Sequence, residues 1–408
     1  MKVSDFIKLY KQDSIVQTIA ETIKPNESIH IKLKGLSGSL DAVISAAVFS
    51  INHQNHLFVL HDKEEAAYFY NDLQSLIPAK EILFFPTSYK RPYEFDETVN
   101  ANILQRAEVL NCINNKSSSG ELIVTYPEAL TEKVINKKTL QENTLTIKEG
   151  EPVGANTITE ILADFDFDKV DFVYEAGQYA IRGGIIDVFS YAHELPYRLE
   201  LFGDEIESIR TFDPNSQVSV DTVKKINLIP NVQTHMVENA RESLLKFMPN
   251  NIKVWIKDIG LTLDTFDKFF EKATQDFDKV LAISNQTQVV LSPADLFETS
   301  LTFKTSLRGY CQIEFGNRFS DLSGREFSLK TSPQPSFHKN FNLLATTLDE
   351  NDTLGITNII VAESPKQIDR LKSIFEEIDP TLTFHGMNAS LRGGFLDHTL
   401  NIACYTDH

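Results

Sequence analysis

The segment Gly35-Leu36-Ser37-Gly38-Ser39-Leu40-Asp41-Ala42 stands where a phosphate-binding loop stands in an α/β protein, after a strand candidate at 28–33 and at the start of a helical stretch from Leu40. A working loop reads G-x-x-x-x-G-K-S/T. Its glycines let backbone N–H groups reach phosphate, its lysine neutralises the β- and γ-phosphates, and its hydroxyl holds magnesium. Counted from Gly35, the second glycine is Leu40, the lysine is Asp41 and the hydroxyl residue is Ala42. Asp41 sets a carboxylate against the oxygens that a lysine would neutralise. Gly35 and Gly38 keep the freedom that a tight strand-to-helix turn needs, and the helix start offers at most a weak anion site. The expectation is a degenerate, non-functional phosphate loop, with no ATP hydrolysis and no cofactor held here.

Other clusters point more weakly to chemistry. Asp164, Asp166 and Asp168, with Glu175 at the twelfth position, outline a calcium loop, but Lys169 occupies the sixth position, where the sharp turn needs glycine. A helix end followed by a strand is expected instead. His53, His56 and His61 span a loop and a strand with no cysteine near enough to complete a metal site. Cys112, Cys311 and Cys404 read as small buried apolar residues. Lys90-Arg91-Pro92 and Lys137-Lys138 are small basic spots, expected as solvated surface, and Arg392-Gly393-Gly394 reads as a structural turn. Arg182 precedes Gly183-Gly184, which permit a bulge or close backbone approach. A guanidinium there has two uses. It can bond bidentately to a partner's carboxylates, or pair with a neighbour such as Glu175 or Glu200 across strands. From the residues alone, internal pairing is favoured.

The elements that must position these residues follow from pattern. Over the first part of the chain, strand candidates at 28–33, 56–61, 82–85 and 122–125 alternate with helical stretches at 40–52, 63–77 and 101–113, which predicts a parallel sheet covered by helices. From 169 to 212 closely spaced strands with turn signals predict an antiparallel insert: 169–175, then 177–190, then 197–212. Mixed α/β returns after Asp213-Pro214, with helices near 237–247 and 261–273 and a strand around Trp255. The polar stretch 330–336 reads as a linker to a small α/β unit. The chain has 408 residues, net charge −18, 42% hydrophobic and 24% charged residues. That length suits about two to four domains, and the composition is that of a globular protein. The acidic balance argues against wrapping duplex DNA through many phosphate contacts. No apolar run approaches a membrane span, and the first residues lack a signal peptide's apolar core. Three scattered cysteines cannot form a disulfide framework, which fits a reducing, cytoplasmic location.

Two segments carry a resemblance. Gly177-Gln178-Tyr179-Ala180-Ile181-Arg182-Gly183-Gly184-Ile185-Ile186-Asp187-Val188-Phe189 resembles the pattern of the nucleotide-excision protein UvrB, as does Tyr197-Arg198-Leu199-Glu200-Leu201-Phe202-Gly203-Asp204-Glu205-Ile206-Glu207-Ser208-Ile209-Arg210. With the dead loop, and with Val361-Ala362-Glu363-Ser364 and Gly393-Gly394-Phe395, the chain is similar to the N-terminal region of the bacterial transcription-repair coupling factors, the Mfd family. The resemblance implies a parallel-sheet, helicase-like domain with a degenerate phosphate loop, interrupted by an antiparallel α+β domain and followed by a small α/β domain. The corresponding boundaries are 1–133 and 213–330 for the first domain, 134–212 for the insert and 337–408 for the third. It also implies an adaptor that recruits UvrA to lesions where RNA polymerase has stalled. Arg182 would be the principal contact, with Lys169 as a second basic contact and Phe189 and Ile186 on or under the same surface. Ala180 replaces a second arginine of UvrB. Contacts with RNA polymerase and duplex DNA, and the ATP- and magnesium-dependent translocase, would belong to parts C-terminal to His408. The segment 85–103 is too short for the long aromatic hairpin of UvrB. The alternative is a degenerate UvrB-type, nucleotide-dependent DNA-binding enzyme.

Overall fold

The computed structural model describes residues 1–24, 27–88, 93, 100–114, 120–231, 241–283, 291–338 and 340–406. Helices α1 (Val3–Lys11) and α2 (Ser14–Thr22) precede strand β1 (His30–Lys34). Then α3 (Leu40–Asn52), β2 (His56–Val59), α4 (Lys63–Leu76), β3 (Ile82–Phe85), α5 (Asn100–Asn114) and β4 (Leu122–Thr125) alternate as the pattern predicts. Asp62 caps the start of α4, its carboxylate accepting the Glu65 N–H at 2.9 Å. The ribbon Leu145–Lys148 pairs antiparallel with Lys225–Leu228, so the chain enters and leaves the insert side by side.

Between those two strands lie α6 (Ala155–Asp164) and strands β5 (Asp168–Lys169), β6 (Gln178–Arg182), β7 (Ile185–Val188), β8 (Tyr197–Phe202), β9 (Glu205–Phe212) and β10 (Ser219–Thr222). They form one sheet ordered β10-β9-β8-β7-β6-β5, antiparallel except for β5 beside β6. The insert therefore runs beyond Phe212. The chain then returns to complete a parallel seven-stranded sheet with β11 (Lys253–Lys257), α7 (Ile259–Ile283), β12 (Cys311–Phe315) and β13 (Arg325–Ser328), in the order β13-β1-β12-β11-β2-β4-β3. Its central strands are buried almost without interruption, because helices cover both faces. A third sheet holds β14 (Thr331–Pro333), β15 (Thr357–Ala362), β16 (His385–Asn388), β17 (Phe395–Asp397) and β18 (Ile402–Tyr405), ordered β14-β17-β18-β15-β16. Helices α8 (Phe341–Thr353) and α9 (Pro365–Ile378) cover one of its faces.

The fold class predicted from sequence is the one observed. Three local readings change. The stretch 330–336 contains the edge strand β14 rather than free linker. Residues 170–175 are not a strand; they fold across the inserted sheet, where Val173 closes a small core with Ala180, Phe189 and Phe212. The helix near 237–247 lies largely outside the described residues, as do Lys90-Arg91-Pro92 and most of 85–103; the described end is the short helix Leu244–Phe247. The largest core joins the parallel sheet to the near face of the third sheet, with Ile31, Val43 and Leu73 in the same cluster as Ile359, Val361, Met387 and Cys404. The insert has its own core around Tyr179, Ile186, Leu199 and Ile209. Among the described residues no helix is long and apolar enough to cross a membrane.

Candidate functional site

The strand-to-helix turn after β1 is built as the glycines require. Gly35 (φ 79°) and Gly38 (φ 55°) both sit in the left-handed region. Yet the amide groups that would cradle phosphate are already used. Ser39 N–H donates to the Gly393 carbonyl at 2.8 Å, Leu40 N–H to Ser37 at 3.2 Å, and Ala42 N–H to the Asp41 carboxylate at 2.8 Å. The turn 392–394 of the third sheet fills the loop. Gly393 N–H donates to Ser39 Oγ at 2.8 Å, Arg392 N–H to Asp72 at 2.9 Å, and the Arg392 guanidinium lies 4.0 Å from the Tyr68 ring centre. A methyl group on Gly38 would lie 2.5 Å from the Gly394 carbonyl oxygen. The turn read as structural in the sequence is thus a plug in the decayed loop.

The charges of phosphate-loop chemistry are exchanged here. P-loop enzymes set a lysine on the loop and a magnesium-holding aspartate opposite it. This chain has Asp41 on the loop and Lys257 at the end of β11, 3.3 Å apart. Burial raises the Asp41 pKa, against the pull of Lys257. Burial works against the Lys257 ammonium too, but Asp41 and Glu65 hold it above the usual lysine range. Glu65 lies 2.6 Å from Lys257 and 2.9 Å from His61, whose other ring nitrogen meets Asp258 at 2.7 Å. Burial opposes the Glu65 charge, yet His61 and Lys257 hold its pKa down to about 2. A cavity of about 420 Å³ remains beside the plug, lined by Asp41, Asp62, Glu64, Glu65 and Asp72 against Lys257, Arg392 and His61, a net acidic balance that disfavours triphosphate.

The second candidate is the polar face of the inserted sheet. Side chains alternate across a sheet, and the hairpin register places Tyr179, Ile181, Ile186 and Val188 on the core face and Ala180, Arg182, Ile185 and Asp187 on the other. Arg182 ion-pairs with Asp187, a residue diagonal to it across the two-residue turn Gly183-Gly184, rather than with Glu175 or Glu200. Glu200 is taken by Arg210 and Ser208. Asp187 is fully buried and also holds Arg198 bidentately, at 2.7 and 2.9 Å. Arg182 keeps 38% side-chain exposure and lies 4.9 Å from the Phe172 ring centre. Beside it stand exposed Phe172 and, on the adjoining hairpin tip, Phe202 at 81% exposure, while exposed Tyr174 lies at the other end of β6, its N–H on the Gln178 side chain. The two tips are tied by the Leu201 N–H bond to the Gly184 carbonyl, 2.8 Å.

The other residues named for this surface separate. Phe189 is buried under Val173 on the Arg182 face. Ile186, expected on or under the same surface, is fully buried on the opposite face, in the core. Lys169 is exposed on the edge strand β5 but stands in register with Tyr179, roughly 10 Å along β6 from Arg182 and on the alternate face. Asp187, Phe172, the Phe202 tip, Lys257 and the Gly393 plug were all missed in the sequence. For Asp187 the signal existed, since a two-residue turn at 183–184 fixes the diagonal. For Lys257 and Gly393 it did not, because both arrive from distant strands.

The remaining clusters have structural explanations. His56 is fully buried and accepts from Trp255 Nε1 at 2.8 Å, with burial pushing its pKa down to about 3. His53 ends α3 in a left-handed conformation, and His61 joins the Glu65–Asp258 network. Burial pushes the thiols of Cys112 and Cys404 up to about 12 and that of Cys311 to about 11. Among the described residues no group of three His, Cys, Asp or Glu is arranged to hold a metal ion.

Residues 145–233 match the family model described as the UvrB interaction domain, a range that begins with the first strand of the paired ribbon closing the insert and includes the second. The transcription-repair-coupling factor of Bacillus subtilis is 29% identical over 199 residues, which is 48% of this chain and 17% of that protein. That of Staphylococcus aureus is 25% identical over 276 residues, 66% of this chain and 23% of that protein. That of Escherichia coli is 39% identical over 111 residues, 27% of this chain and 10% of that protein. The chain therefore spans less than a quarter of the length of these relatives. With its UvrB interaction domain, it is homologous over about half its length to the transcription-repair coupling factors.

Proposed function

We propose that this chain is a non-enzymatic adaptor that recruits UvrA through the polar face of its inserted sheet, as the N-terminal module of a cytoplasmic transcription-repair coupling factor. The observation that carries the reading is the arrangement at Arg182. A half-exposed guanidinium is held against Asp187 and Phe172, beside an exposed aromatic hairpin tip, inside the segment that matches the UvrB interaction domain. Arginines and aromatics of this kind carry interface energy. Phe189 supports this surface from beneath, Ile186 backs the sheet from its other face, and Lys169 offers a second basic group at the sheet edge, on the face opposite Arg182. The consumed amides of the loop, Asp41, and the Gly393 plug support the absence of nucleotide and magnesium binding in this chain. On this reading RNA polymerase, duplex DNA and ATP are engaged by other parts of the full-length factor.

Titration of purified UvrA with the wild-type chain and with Arg182→Ala tests the reading. Wild type should bind at micromolar affinity or tighter, and the substitution should cost roughly 2 kcal/mol. Near-ultraviolet circular dichroism checks that the variant folds. An unchanged affinity for a folded variant, or no binding by wild type, would remove the adaptor assignment.

A further inference from the structure

A second cavity, of about 610 Å³, opens at the carboxyl ends of β15 and β18 in the third sheet, away from both sites described above. Ile360 and Tyr405 form its floor, Phe341 and Leu344 of α8 one wall, and Leu371 and Ile374 of α9 the other. Its size falls within the roughly 300–1,000 Å³ of small-molecule sites, which are mostly apolar with a few directed polar groups. Its position, outside the carboxyl ends of parallel strands, is where open α/β sheets bind ligands.

The polar groups that reach it select for negative charge. In a chain of net charge −18, none of the lining residues is Asp or Glu. Arg370 lies at the mouth, exposed and without an ion pair among the described residues. The first turns of α8 and α9 both border the cavity, and helix amino ends favour anions. Thr406 Oγ1 is buried and has no hydrogen-bond partner among the described residues. The acidic cavity beside the decayed loop has the opposite character. We propose that this cavity binds a small molecule with a flat apolar body and one carboxylate or phosphate group. The body inserts between α8 and α9, and the anionic group meets Arg370 and the helix ends.

The test is calorimetric titration of the 408-residue chain with 2-naphthoate, 2-naphthyl phosphate and, as the uncharged control, 2-naphthalenemethanol. One or both anionic probes should bind with one-to-one stoichiometry, and the stronger names the anionic group. The alcohol should bind about tenfold more weakly. Ile374→Trp, which fills the cavity, should abolish binding. Arg370→Gln should weaken the anionic probes about tenfold and leave the alcohol unchanged. If Ile374→Trp unfolds, Arg370→Gln at the exposed rim carries the test alone. The proposal is overturned if neither anion binds at about 1 mM, if a folded Ile374→Trp still binds, or if alcohol and anions bind equally. UvrA affinity should not change with Arg370→Gln, so this test and that of the adaptor reading fail separately.

Discussion

Asp187 is buried between two guanidinium groups, and its removal would leave Arg198, only 16% exposed, without its bidentate partner. Breaking a buried ion pair from one side costs about 3–5 kcal/mol. Asp187→Ala should therefore lower unfolding stability by roughly 3 kcal/mol in urea denaturation, and it should loosen Arg182 as well. A cost below about 1 kcal/mol would show that the triad adds little. Asp72 makes a second residue-scale prediction. Burial pushes its pKa up to about 7, partly offset by Ser39 and the Arg392 N–H. A carboxyl with a raised folded pKa holds its proton more tightly when folded. Its contribution is therefore full below about pH 4 and is lost as pH rises to about 7. Asp72→Asn removes that loss. The variant should match wild type near pH 4 and exceed it near pH 8, by on the order of a few kcal/mol at most. Thermal midpoints at the two pH values decide it, and equal differences would refute it.

At the scale of elements, the turn from β1 to α3 shows how much a loop's letters conceal. Its glycines, its lost lysine and its aspartate are legible in sequence, and they predict a dead loop. That its amides are occupied by Gly393 is not legible, because the plug comes from a turn 354 residues away. The variant Leu40→Gly with Asp41→Lys and Ala42→Ser restores the letters of the loop but leaves the plug and Lys257 in place. It should show no rise in thermal midpoint with magnesium-ATP, whereas a ligand at 100 times its dissociation constant adds about 2.7 kcal/mol. A clear rise in that variant, or in wild type, would return the nucleotide-dependent enzyme to favour. The segment 170–175 teaches the converse. Its alternation of apolar and polar residues reads as a strand, but Val173 and Phe172 are drawn down onto the sheet face instead. Tertiary burial of Val173, with Phe172 laid against Arg182, overrode a local pattern.

At the scale of the molecule, the third sheet is not a bead on a linker. Its near face lies in the same core as the parallel sheet, and the N-terminal ammonium donates to the Gly386 carbonyl at 2.9 Å. The two units should unfold together. Gly38→Ala forces alanine into a left-handed conformation against the Gly394 carbonyl, a strain of roughly 2 kcal/mol or more. Hydrogen exchange should then rise in β15 and β18 as much as in β1. A rise confined to β1 and α3 would mean that the third sheet is held independently of the plug.

The sequence by itself determined the order of strands and helices, the class of each sheet and the ruin of the phosphate loop. Hydrophobic period, helix caps and glycine conformations are local properties that short segments carry alone. The tertiary structure decided which charges meet. It paired Arg182 with Asp187 rather than Glu175 or Glu200, set Lys257 against Asp41, placed Ile186 in the core on the face opposite Arg182, and sealed the loop with Gly393. These outcomes depend on register and on strands distant in the chain, and charge pairing over a few ångströms is fixed only once the backbone has brought them together.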